Sequence, residues 1–165
     1  MNSYKLFGIK FVLFFLPETR FFGLKRKLFR FAGATIGENV RICSSVSIIG
    51  NGNLSIGDNT WIGHQTCIIS SSSIIIGKNV DIAPRVYIGT GTHVVDIKSP
   101  NISGAGISEN ITIKDGCWVC VGSIILPGVE LGIKSITAGG SLVNKNVLPF
   151  TIVGGVPAKL ISKLK

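Results

Sequence analysis

The chain repeats itself every twenty residues: Ile36-Gly37-Glu38-Asn39-Val40, Ile56-Gly57-Asp58-Asn59-Thr60 and Ile76-Gly77-Lys78-Asn79-Val80 stand in register. Within these units an aliphatic residue returns at every sixth position, as Ile36, Ile42, Ile48 and Leu54, then Ile56, Ile62, Ile68 and Ile74, then Ile76, Ile82 and Ile88. The rhythm resumes at Ile107 and runs through Ile113, Val119, Ile125, Leu131, Thr137 and Val143. A period of six fits neither a 3.6-residue helix nor a strand that alternates every second residue. It fits short strands that each end in a bend, three to a coil, with the aliphatic residue inside. A two-residue slip between the first units predicts small bulges at one corner.

A coil of this kind cannot bury its own faces, so neighbouring coils must cover them and the two ends need caps. The bend after each aliphatic residue calls for glycine or another turn-former, which accounts for the 21 glycines. The small residue four positions on (Val40, Val46, Thr66, Val80, Val86, Cys117, Ser123, Val129, Ser135) has to face inward as well, where bulk would not fit. We therefore expect an all-β solenoid of one domain over residues 33–156, with residues 1–32 as a basic amphipathic cap. Residues 157–165 read as a short helical tail with its lysines outward. Between Ile88 and the next regular coil, residues 90–106 break the pattern and should protrude as a loop.

Lys5, Lys10, Arg20, Lys25, Arg26, Lys27 and Arg30 face only Glu18 in the first thirty residues, so most of the formal charge of +9 is concentrated there. The rest is only mildly basic, which argues against a nucleic-acid surface. The apolar stretch from Phe7 to Leu16 is interrupted by Lys10 and falls short of the roughly 20 residues a spanning helix needs. No small-residue cleavage site follows it, and we expect a cytoplasmic protein. Residues 1–30 have the composition to lie against the inner face of a membrane or to pack on protein. Cys43, Cys67, Cys117 and Cys120 offer no second pair at zinc-ligand spacing, and Cys117-x-x-Cys120 falls in phase with the repeat, so we expect structural cysteines and no metal.

Candidates for chemistry are few. The chain has two histidines and no nucleophile elbow, Walker loop or zinc-protease motif. His93 follows a Gly-Thr-Gly-Thr run at the lip of the irregular segment, and His64 sits at a corner slot beside Gln65. An imidazole is suited to removing the proton of an attacking alcohol, a contribution of about 10²- to 10⁴-fold. A zinc hydratase built on such coils would need three histidine ligands, which two histidines cannot supply.

The segment Ile76-Gly77-Lys78-Asn79-Val80-Asp81-Ile82-Ala83-Pro84-Arg85-Val86-Tyr87-Ile88, leading to Thr90-Gly91-Thr92-His93, resembles the hexapeptide-repeat acyltransferases, as do Trp118-Val119, Ile125-Leu126-Pro127-Gly128-Val129 and Gly154-Gly155-Val156-Pro157-Ala158. The resemblance covers about residues 33–161 and is nearest to the colanic-acid, O-antigen and capsule sugar O-acetyltransferases. It implies a left-handed parallel β-helix, a homotrimer with each active site between two subunits, and acetyl-CoA as acyl donor. It implies that His93 is the general base of a direct transfer to a sugar hydroxyl of a surface polysaccharide or its precursor. An amino-sugar nucleotide N-acetyltransferase is the alternative. Asp96 or Glu109 is expected to orient the imidazole. Trp118, Val121, Gly122, Ala138 and Gly139 are expected along the coenzyme groove, and Lys145 and Lys159 at its phosphates. His64, Gln65 and Arg85 are candidates for contact with the acceptor.

Overall fold

The structure, a computed structural model, describes residues 1–165. Twelve residues form helix α1 (Ser3–Phe14), whose start is fixed by the Asn2 side chain accepting the Lys5 N–H at 3.0 Å. Helix α2 (Phe22–Phe31) follows the Pro17 turn. Leu6, Ile9 and Leu13 of α1 and Phe29 of α2 are buried, and together the helices pack against the strands of the first coil.

From Thr35 onward short strands stack on three faces. The first face holds β1 (Thr35–Ile36), β4 (Asn53–Ile56), β7 (Ser73–Ile76), β12 (Ile111–Ile113) and β15 (Glu130–Leu131). The second holds β2 (Arg41–Ile42), β5 (Trp61–Ile62), β8 (Asp81–Ile82), β13 (Trp118–Val119), β16 (Ile136–Thr137) and β18 (Thr151–Gly155). The third holds β3 (Ser47–Ile49), β6 (Cys67–Ile69), β9 (Tyr87–Gly89), β14 (Ile124–Ile125) and β17 (Leu142–Val143). Every pairing within these three stacks is parallel, giving a solenoid of about six coils.

Each face lines the interior with a row of the six-residue series, and the first face adds a second buried row of Leu54, Ile74 and Ile111. Ile36, Ile56, Ile76, Ile113 and Leu131 stack on the first face; Ile42, Ile62, Ile82, Val119 and Thr137 on the second; Ile48, Ile68, Ile88, Ile125 and Val143 on the third. These side chains are buried throughout. Each removes apolar surface worth about 1.5–3 kcal/mol from water, and no face could do so without its neighbours. The small residues four positions on are buried too, from Val40 to Ser135, which confirms them as the inner corner filling.

Two of the three corners align left-handed backbone into columns. Asn39, Asn59, Asn79, Gly116 and Lys134 have positive φ at the first, and Gln65, Arg85, Gly122 and Gly140 at the second. Asparagine and glycine tolerate that conformation best, which explains the recurrent Gly-x-Asn signature. The third corner carries the two-residue slip. Gly50 there has φ +107°, and a Cβ on it would run into the Ser70 carbonyl of the next coil, so only glycine fits.

At the third coil the same corner expands into a projecting finger of β10 (Gly91–Val95) paired antiparallel with β11 (Ser103–Ser108). The insertion lies where Ile76 pairs with Ile113, between the twenty-residue coils and the later pairing of Ile113 with Leu131. The expected loop is thus an ordered hairpin reaching Ser108. Its strands were illegible because both faces are solvated and built from Gly, Ser and Thr, so no apolar alternation marks them.

The expectation for residues 157–165 needs correction. They form a strand, β19 (Ala158–Lys163), that folds back antiparallel on β18. The last coil leaves an unpaired strand edge, and pairing β19 to it satisfies backbone groups that a helix would leave open.

Candidate active site

His93 projects from the middle of β10, opposite Gly106 and exposed to solvent. Its ring Nδ1 lies 2.9 Å from the carbonyl oxygen of Gly104. A carbonyl only accepts, so Nδ1 carries the proton and Nε2 presents its lone pair outward. With Ser71, Gly91, Thr92, Gly106, Ile107 and Ser108, the ring lines an open depression of about 370 Å³. This is the arrangement of a base: one nitrogen anchored, the other free to take a proton.

The hydrogen-bond partner of the ring within the chain is therefore backbone. Neither carboxylate expected to hold the imidazole meets it within the chain. Asp96 Oδ1 accepts the Lys98 N–H at 3.0 Å and shapes the tip of the finger. Glu109 lies over Gly128, where an added Cβ would meet its carboxylate, and its backbone N–H binds the Thr90 carbonyl at 2.9 Å. No sequence signal marks a carbonyl as a partner, since every residue has one.

The remaining candidates gather along the second corner. The Arg85 N–H binds the His64 carbonyl, the Gly122 N–H the Pro84 carbonyl and the Gly140 N–H the Val121 carbonyl, at 2.9 to 3.0 Å. His64, Gln65, Arg85, Val121, Gly122, Ala138 and Gly139 thus form one continuous edge, and Arg85 Nε donates to Gln65 Oε1 at 3.0 Å. Trp118 is half exposed on the outside of the adjoining second face. Lys145 lines a mainly apolar pocket of about 220 Å³ with Val143, Leu148, Ala158 and Leu160. Lys159 stands between two of those residues on β19, and neighbouring side chains of a strand leave by opposite faces, so the two lysines do not converge in one chain. Nor do the finger and the column: they rise from different corners of the same prism.

At the foot of the column sits a cluster that the sequence reading missed. Glu18 Oε2 accepts the Ser45 N–H and hydroxyl, both at 3.0 Å, and lies 3.3 Å from His64 Nδ1. Lys25 has no exposed surface, and its ammonium donates to the carbonyls of Pro17 (3.0 Å) and Glu18 (2.7 Å). Burial lowers the Lys25 pKa, opposed by Cys43 and Glu18. Burial likewise pushes the Cys43 thiol up to about 11. Donor atoms of Glu18, Cys43 and His64 lie within 4.8 Å of one another, and the Lys25 ammonium meets the backbone carbonyl of the same Glu18. The nearest hint of this cluster in the sequence is Glu18, the one acid in the basic cap.

Burial tends to raise the Glu18 carboxyl, but the Ser45 donors, then His64, outweigh it and hold the group below its ordinary value of 4.5. A depressed carboxyl adds stability above its unfolded pKa and loses it as pH falls through the folded value. Melting curves of the wild type and Glu18→Gln should therefore differ above about pH 4.5 and draw together in stronger acid. A gap that stays constant through the acid range would show that this carboxylate's charge does nothing for the cap.

No family model matches the chain. Over 134 residues it is 31% identical to the Escherichia coli protein named "Putative colanic acid biosynthesis acetyltransferase WcaF", across 81% of this chain and 71% of that one. It is 40% identical over 80 residues to an acetyltransferase-named protein of Schizosaccharomyces pombe, across 48% of this chain and 38% of that one. The chain spans 38 to 57% of the length of the first curated relatives it matches. Its fold superposes on a crystal structure of a hexapeptide-repeat acetyltransferase of Vibrio cholerae in complex with acetyl coenzyme A, with a TM-score of 0.78 and 25% identity, covering 99% of this chain and 87% of that one. Six-residue rungs, three stacked parallel faces and a finger at one corner define a left-handed parallel β-helix of the hexapeptide class. The chain belongs to the hexapeptide-repeat acetyltransferase family.

Proposed function

We propose that the chain is an acetyl-CoA-dependent O-acetyltransferase acting on a sugar of a bacterial surface polysaccharide or its precursor, with His93 as general base. The observation that carries this reading is the anchored imidazole: Nδ1 fixed on Gly104 and Nε2 free above an open depression. The names of the relatives supply the acyl group and the sugar class, and the complex of the Vibrio cholerae protein supplies the donor.

The transfer balances without a covalent acyl-enzyme. Nε2 takes the proton of the acceptor hydroxyl as its oxygen attacks the thioester carbonyl. The C–S bond then breaks, and the imidazolium returns the proton to the leaving thiolate. Acetyl-CoA lies along the second-corner column past Trp118, Val121, Gly122, Ala138 and Gly139, with Lys145 and Lys159 toward its phosphates and His64, Gln65 and Arg85 toward the acceptor. Because finger and column occupy different corners of one prism, the site is complete only when the finger of one copy meets the column of another. A homotrimer satisfies this for every subunit. Asp96 then serves the finger's shape, and we place the reaction on the cytoplasmic side.

Labelled acetyl-CoA offered with sugar alcohols and with amino-sugar nucleotides tests the reaction. The expected product is an ester, which hydroxylamine or mild alkali cleaves. Label retained in an alkali-stable amide would move the chain to N-acetylation, and no transfer to either class would overturn the reading.

A further inference from the structure

Helix α1 is apolar on both sides. At about 100° per residue, Leu6, Ile9 and Leu13 point to the solenoid and are buried, whereas Tyr4, Phe7, Phe11, Phe14 and Phe15 point away. The outward five are 68 to 90% exposed. Nothing in the protein covers them, and a helix apolar all round is normally covered. Lys5 and Lys10 flank this stripe on its two sides, and both are exposed.

Helix α2 extends the same surface. Leu24, Lys27 and Phe31 share its outer face, and Phe31 meets α1 through the Lys5 ammonium, 4.0 Å above its ring. Arg20 and Phe21, in the connection, are exposed as well. The surface is therefore an aromatic plateau ringed by cations, and its one acid, Glu18, is engaged by Ser45 and His64.

Charge decides what fits it. A second copy of the chain is a poor electrostatic match: each copy carries a formal charge of +9, and three of its seven acids outside the cap, Glu38, Asp58 and Glu130, are already held by Arg30, Lys78 and Lys114. An anionic bilayer supplies both complements. Its headgroups attract the lysines near the surface, and its interface takes the rings, where aromatic side chains are enriched. No helix is long and apolar enough to cross a membrane, so the contact is peripheral.

We infer that the outer faces of α1 and α2 form a docking surface for the headgroup and upper acyl region of an anionic phospholipid membrane. The inference is independent of acetyl transfer, because its test reads sedimentation and not turnover.

The full-length protein is spun with vesicles of phosphatidylcholine alone and with phosphatidylglycerol added, at low and high salt. It should co-sediment with the anionic vesicles, lose binding as salt rises, and leave neutral vesicles largely free. Phe7→Ser/Phe11→Ser/Phe14→Ser should lose at least about tenfold in apparent vesicle affinity, with melting temperature and oligomeric state unchanged. Lys10→Glu/Lys27→Glu should weaken binding to anionic vesicles selectively. Failure of the wild type to bind, equal binding to neutral vesicles, or dissociation of the assembly in the triple variant would overturn the proposal, the last by showing that the face belongs between subunits.

Discussion

His93→Ala is expected to lower acetyl transfer by about 10²- to 10⁴-fold, the range a positioned general base contributes. Binding of the donor should survive, because the residues proposed to contact it lie on the second-corner column and not on the finger. CoA should therefore raise the melting temperature of the variant as much as that of the wild type, since a ligand that binds only the native state stabilises by mass action. Asp96→Asn should leave most of the rate, because the anchored nitrogen uses the Gly104 carbonyl and the Asp96 carboxylate is spent on the Lys98 N–H. Near-normal turnover in His93→Ala would remove the base from the mechanism. A collapse of activity in Asp96→Asn with the fold intact would return the orienting role to the carboxylate, supplied in an assembly that changes the finger.

What the sequence made legible is what the six-residue period controls. Ile42, Ile62 and Ile82 stand in one row because a prism with three strands per coil repeats its interior environment at that spacing, so identical residues recur. The small corner residues and the Asn-bearing bends follow from the same periodicity. Elements outside the period carried no such constraint. The finger strands lack an inside, hence any alternation, and β19 is a strand only because β18 leaves an edge beside it, a tertiary fact absent from Pro-Ala-Lys-Leu-Ile. His93 was legible from its motif and from the scarcity of histidine. Its anchor was not, because a backbone carbonyl carries no residue signature. Likewise the pairing of Glu18 with His64 spans two elements far apart in sequence, and the buried Lys25 reads locally as one more cation in a basic run.

Ile82→Ala should cost about 2–5 kcal/mol of unfolding free energy, the range for truncating a fully buried aliphatic side chain. Ile82 has no exposed surface and sits in its row between Ile62 and Val119, so the lost methyl groups leave a void bounded above and below by rungs fixed in their own strands. Coils joined by backbone hydrogen bonds at every rung have little freedom to close that void. Ile82→Val should cost only about 0.5–1.5 kcal/mol, since it removes one methylene. Ile75 provides the contrast on a neighbouring face: it points outward, is 48% exposed, and its replacement by alanine should stay within about 0.5 kcal/mol. Urea unfolding at one fixed protein concentration checks all three, since a self-associating protein gains stability with concentration. Equal losses for Ile82→Ala and Ile75→Ala would mean that the interior rows are not what holds the coils together, and the solenoid would need another source of cohesion.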